Sequence, residues 1–116
     1  MAPAPAITDV LLPDGGLRGV VLALHGGAQT GTRALDGRSL PWRRMRRMTH
    51  EIAGDLLDRD IGIVLLRYRV RGWNVGVEAL PSPVPDARWA LDRIRAELGV
   101  PVALLGHSMG GRTAAA

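Results

Sequence analysis

The chain has no cysteine, no lysine and no phenylalanine, and a single tyrosine, Tyr68. Without cysteine, disulfides and thiolate metal sites are excluded outright. Without lysine, all 15 basic residues are arginines, which against 11 acidic residues leave a net charge of +4. A sequence pI of 11.2 invites a nucleic-acid reading, because clustered arginines neutralise phosphates. The scarcity of aromatics argues against it: no aromatic–basic interleaving of the RNA-binding type appears. Arginine in place of lysine, beside abundant alanine and glycine, is the ordinary signature of a GC-rich coding sequence. Long apolar runs are also lacking. The longest, Val20–Leu24, falls far short of the roughly 20 residues that span a bilayer. MAPAPAITDV at the start has neither a basic n-region nor an apolar h-region. The expectation is therefore a cytoplasmic protein with no membrane and no nucleic-acid partner.

What is present is a globular composition, 47% hydrophobic with a mean hydropathy of +0.07. At 116 residues one domain is the ceiling. A Pro-rich lead-in over 2–6 precedes an apolar run, Ile7–Leu12, closed by the turn signal Pro13-Asp14-Gly15-Gly16. Leu17–Leu24 follows, and its continuous Val20–Leu24 core suits a strand buried on both faces of a parallel sheet. His25-Gly26-Gly27 ends it abruptly. Pro41 sits where a helix begins, with Trp42, Met45, Thr49, Ile52 and Leu56 recurring at helical spacing on the core face. Gly62 is read in the connection to a second continuous strand over Ile61–Leu66, and Arg67–Pro85 as a long loop. Asp86 begins the second helix, with Ala87, Leu91, Ile94 and Leu98 inward; Gly99 and Pro101 stop it. Val102–Leu105 reads as a third buried strand, and Met109–Ala116 as helix-compatible. The order is that of an α/β fold with a mostly parallel sheet.

The chemistry-bearing motif is Gly106-His107-Ser108-Met109-Gly110, a G-x-S-x-G directly after a strand. A serine on a sharp strand-to-helix turn has its hydroxyl raised above the sheet, and the flanking glycines remove side chains that would clash across the turn. With glycine at 15 of 116 positions, a given serine is flanked this way by chance about 2% of the time. Its context, between a strand and a helix and matched by an HGG turn, adds to the bare pattern. The plainer alternative for Ser108 is a helix N-cap.

The elbow Gly106–Gly110 and the strand-plus-loop Val20–Gly27 (VVLALHGG) resemble the α/β-hydrolase superfamily. Leu65–Asn74 (LLRYRVRGWN) and Pro83–Arg95 (PVPDARWALDRIR) are similar to small actinobacterial serine hydrolases. The resemblance implies a three-layer α/β-hydrolase sandwich, cut after the nucleophile elbow. Residues 1–116 would then be the N-terminal portion of a single such domain, lacking the later strands, acid and base. It implies Ser108 as nucleophile, the Met109 N–H as one oxyanion-hole donor and the Gly27 N–H as the other, with Ala28 its near alternative. The reaction it implies is hydrolysis of ester or related acyl bonds of a small-molecule substrate through an acyl-enzyme. The alternative is a non-catalytic remnant or partner-dependent fragment, and a third reading is a small basic binding protein.

A serine nucleophile needs a base, and the base a carboxylate to orient it. In this family both follow the serine, whereas Arg112 is the only titratable side chain after Ser108. His25 belongs to the oxyanion-loop turn, His107 to the elbow's variable position, and His50 to a helix surface. None is read as the base. Arg43, Arg44, Arg46 and Arg47 crowd the start of the first helix, where cations oppose the macrodipole. They read first as a solvated face, and otherwise as an attractor of an acidic substrate or a phosphate-bearing group. Arg67, Arg69 and Arg71 alternate at a strand end. Of the tryptophans, Trp42 fits the core face and Trp89 lies beside one, while Trp73 in the long loop is the candidate to touch substrate. Asp36, Glu78 and Asp86 lack the paired spacing of a metal site. Gly26–Thr32 lacks the P-loop lysine, so no metal and no cofactor is expected.

Overall fold

A computed structural model describes residues 4–27, 35–69, 83–107 and 109–115. The two continuous apolar runs become neighbouring central strands. Strand β1 is Ala6–Leu11, β2 Gly19–Leu24, β3 Ile61–Arg67 and β4 Val102–Gly106; helix α1 is Leu40–Leu57, α2 Pro83–Leu98 and α3 Met109–Ala115. The sheet order is β1-β3-β2-β4. β2 is parallel to β3 and to β4, while β1 runs antiparallel to β3 with an irregularity between Ile7 and Asp9. Among the described residues the fold is therefore α/β, with a four-stranded, mostly parallel mixed sheet and three helices.

Both sheet faces are covered, which is why β2 and β3 need no polar alternation. On one face Ala23 and Leu65 pack with Trp42 and Met45 of α1. On the other, Val20, Leu22, Leu24, Val64, Leu66 and Tyr68 pack with Ala87, Ala90 and Ile94 of α2, joined by Ala114 of α3. α1 starts at Leu40 because Ser39 caps it, its hydroxyl accepting from the Trp42 N–H at 3.4 Å, with a proline in the first turn. Thr49 and Ala53 complete its buried stripe; Ile52 and Leu56, expected inward, are half-buried. The Trp42 indole N–H finds Thr8 Oγ1 at 3.1 Å, tying α1 to β1.

Three expectations are corrected. α2 begins at Pro83 rather than Asp86, because proline lacks only an N–H that the first helical turn does not use. Its buried stripe is Val84, Ala87, Ala90 and Ile94, with Leu91 and Leu98 half-buried. Gly62 is not a connection residue but lies inside β3, where a Cβ would sit 2.8 Å from Leu12 Cδ2 and 3.1 Å from the Leu11 carbonyl. β4 is not buried on both faces: with β1 it is one of the two edge strands of the described sheet, and Ala103 and Leu104 are exposed. Among the described residues no helix is long and apolar enough to cross a membrane.

Candidate active site

From β2 the chain crosses by α1 to β3 on one side, then by α2 to β4 on the other. The segments leaving the adjacent C-terminal ends of β2 and β4 therefore diverge, α1 lying on one sheet face and α3 on the other. In open α/β sheets this switch point forms a crevice where ligands bind. The two glycine-rich turns of the sequence meet there.

Their contact is backbone on backbone. The His107 N–H donates to the Leu24 carbonyl at 3.2 Å, and the Gly110 N–H to the His107 carbonyl at 2.9 Å. A Cβ on Gly110 would overlap the Leu24 carbonyl and lie 2.8 Å from the His25 oxygen. A Cβ on Gly106 would overlap the Gly110 carbonyl and lie 2.6 Å from the Gly111 nitrogen. Such distances require glycine, because peptide planes cannot rotate away as a side chain can. Gly111 is different: a Cβ there meets nothing closer than 3.7 Å.

His25 secures the other flank of β2. Its ring is fully buried and tilted against Tyr68 at a centroid distance of 4.3 Å. Nε2 accepts the Tyr68 backbone N–H at 3.3 Å, so the proton sits on Nδ1, which donates to the Gly26 carbonyl. Burial pushes the imidazole down to about 4, the Gly26 carbonyl opposing and Arg67 adding to the fall. It is thus a neutral strut with both nitrogens engaged. The Tyr68 phenol is itself pushed well above its ordinary value by burial, the nearby Asp86 charge adding and the Thr113 hydroxyl opposing. Asp86 is buried at the start of α2 and receives the Arg69 backbone N–H at 2.9 Å and its Nε at 3.0 Å. Burial raises its carboxyl group, against the pull of Arg69.

Of the expected site residues, Met109 opens α3, where first-turn N–H groups have no partner within the helix. Gly27 is exposed at the end of β2. Ser108 and Ala28 lie outside the described residues, as do Trp73, Glu78 and Arg71. Gly26, Gly27 and His107 line a cavity of about 310 Å³ with Pro41, Arg44, Met45 and Met48 of α1. His107 is exposed. His50 lies elsewhere: with Arg46 it holds Asp9 Oδ2, at 2.7 and 3.0 Å. Burial would raise the Asp9 carboxyl, but His50, Thr8 and Arg46 outweigh it and lower it. Among the described residues no cluster of three His, Asp or Glu could hold a metal.

The sequence reading found the arginine cluster at the start of α1, but not that Arg44 of the four would line this cavity, nor that Pro41, Met45 and Met48 would form its wall. It also missed the Asp86–Arg69 pair, whose partners lie in segments separated by a long loop. No family model and no curated protein matches the chain. Fold and site geometry therefore stand on the physical arrangement alone: an α/β sheet whose switch point joins the His25–Gly27 turn to a turn locked by Gly106 and Gly110.

Proposed function

We propose that the chain is the nucleophile-bearing part of a serine hydrolase of the α/β-hydrolase type, cleaving ester or related acyl bonds through an acyl-enzyme at Ser108. The observation that carries this reading is the glycine lock. Gly106 and Gly110, two residues before and after Ser108, are packed where no side chain fits, at a strand-to-helix turn on the sheet's switch point. An N-cap serine needs no such crowding on both sides. The Ser108 oxygen would attack the substrate carbonyl and pass its proton to a base. The Met109 and Gly27 N–H groups would receive the oxyanion, and water would then release the acyl group. No metal or cofactor enters these steps.

The base is the gap. Of the three histidines, His25 is buried with both nitrogens engaged and His50 is committed to Asp9. His107 has no carboxylate partner among the described residues. This favours, as the second reading, a chain that is inert in isolation. Both readings are separated by one experiment. The chain is incubated with an excess of a fluorophosphonate and the adducts at its three serines, Ser39, Ser82 and Ser108, are quantified by peptide mass spectrometry. Preferential labelling of Ser108 is expected, because an oxyanion hole without a complete triad still accelerates reaction roughly 10³-fold over water. Equal or absent labelling would leave the inert reading. Turnover of an activated ester by the isolated chain should not exceed that of Ser108→Ala appreciably.

A further inference from the structure

The four arginines of the first two turns of α1 are not equivalent. Arg46 is bound to Asp9 at 3.0 Å and Arg47 to Glu51 at 3.3 Å. Arg43 and Arg44 have no carboxylate partner among the described residues. Only Arg44 of the four lines the cavity beside Gly26, Gly27 and His107, and among the described residues no acidic side chain lines it. Helix α1 has no acidic residue in its first turn, so Arg44 adds to a field already made positive by the helix start. Met45 and Met48 supply the cavity's apolar wall, on the same helix face as the sheet contacts. The broader depression outside α1 touches all four arginines, Arg44 included, but Glu51 shares it and pairs with Arg47, Asp9 holds Arg46, and it has no methionine wall.

We propose that the cavity between the two glycine turns and α1 binds a short acyl group ending in a carboxylate. Its methylenes lie against Met45 and Met48, and its anionic end is taken by Arg44. The volume of about 310 Å³ is at the small end of ligand pockets, about 300–1,000 Å³, which limits the acyl group to a short chain. As a statement about substrate this rests on the hydrolase reading above: the preferred esters are half-esters of short dicarboxylic acids. As a statement about binding it does not, because no bond is made or broken.

The test is therefore binding. The full chain, labelled with ¹⁵N, is titrated with monomethyl glutarate and separately with dimethyl glutarate, an analogue of similar length with no charge. Amide shifts centred on Gly26, Gly27, Arg44, Met45, Met48 and His107 are expected, with the monoester bound about three- to tenfold more tightly, as one partly exposed charge-assisted contact gives. Arg44→Gln should abolish that preference, while Arg43→Gln, changing an exposed arginine outside the cavity, should preserve it. Equal affinities, absent binding, or an Arg44→Gln chain that keeps the preference would overturn the proposal. Charge-selective binding without fluorophosphonate labelling at Ser108 would keep the pocket and remove the hydrolase reading. Labelling without charge selectivity would do the reverse.

Discussion

Neighbouring glycines of α3 should respond in opposite directions to the same substitution. In a helix interior, glycine to alanine normally stabilises by about 1 kcal/mol, because alanine loses less backbone entropy. Gly111→Ala should show this gain undiminished, since its Cβ would lie 3.7 Å from the Gly106 oxygen, an ordinary contact. Gly110→Ala meets the Leu24 and His25 carbonyls instead, the latter at 2.8 Å. Neither oxygen can retreat cheaply, because Leu24 is fully buried in the central strand and its carbonyl also receives the His107 N–H. Forced overpacking of this kind costs about 1–3 kcal/mol, occasionally more. Since α3 must also move away from β2, the upper part of that range applies. Set against the helix gain, the net loss is about 1–2 kcal/mol, and the difference between the two variants about 2–3 kcal/mol. Urea denaturation followed by far-ultraviolet circular dichroism reads this directly, as midpoints displaced to opposite sides of the parent. A Gly110→Ala chain as stable as Gly111→Ala would refute the close approach of α3 to β2, and with it the observation on which the proposed nucleophile elbow rests.

His25 predicts an acid sensitivity. It stays neutral in the fold down to about 4 against an ordinary 6.5, so the unfolded chain binds more protons and stability is lost as pH falls through that window. Linkage gives a loss of about 2 kcal/mol between pH 7 and pH 5. Asp86, raised by burial, acts in the opposite sense, so the contribution is isolated by comparing the urea midpoint's pH slope with that of His25→Gln; identical slopes would exclude His25 as the cause. Backbone handedness predicts a second pair of opposite effects. Asp60 at φ 63° and Gly99 at φ 62° both sit in the left-handed region, so Asp60→Gly should stabilise by about 0.5–1 kcal/mol and Gly99→Ala destabilise by about 1 kcal/mol. Thermal melts of the two variants check this, and a Gly99→Ala chain that melts at or above the parent would contradict it.

The features legible in the sequence were those written in local pattern. Continuous apolar runs at Val20–Leu24 and Ile61–Leu66 identified strands covered on both faces, and the spacing of Trp42, Met45 and Thr49 identified the buried stripe of α1. The turn after β4 was legible because close backbone approach demands glycine, which leaves a visible mark at Gly106 and Gly110. Lateral position left no such mark. An apolar run such as Val102–Leu105 looks the same in the middle of a sheet and at its rim, so the exposure of Ala103 and Leu104 emerged only with the strand order. Pro83 and Pro85 read as loop residues because, beside Pro81 and in a stretch that also holds glycine, proline is taken as a helix breaker, although it fits a first turn. The Asp86–Arg69 pair and the placement of the exposed Arg44 beside the glycine turns depend on distances between segments that no local rule encodes. Charge in the sequence indicated that α1 was basic; only packing separates the arginines held by Asp9 and Glu51 from the one beside the glycine turns.

The way β2 is held explains why a site can exist at this end of the sheet. Its parallel register pairs Leu24 with Gly106 on one side and with Leu66 on the other, so three strand ends finish level. A slip of one residue would turn every β2 side chain to the opposite face, and several contacts oppose it. At the start of the β2–β4 pair the Val20 N–H donates to the Pro101 carbonyl at 3.0 Å; at its finish the His107 N–H donates to Leu24 at 3.2 Å. On the β3 side, His25 accepts the Tyr68 N–H and is wedged against its ring. The end of β2 is thus fixed from both neighbours, and Gly110 locks α3 onto the carbonyls between them. Backbone N–H groups serve as an oxyanion hole only if their positions are set before the substrate arrives. For the proposed oxyanion hole such preorganisation would come from buried, uncharged contacts, the His25–Tyr68 strut and the glycine lock, which need no catalytic acid or base to form.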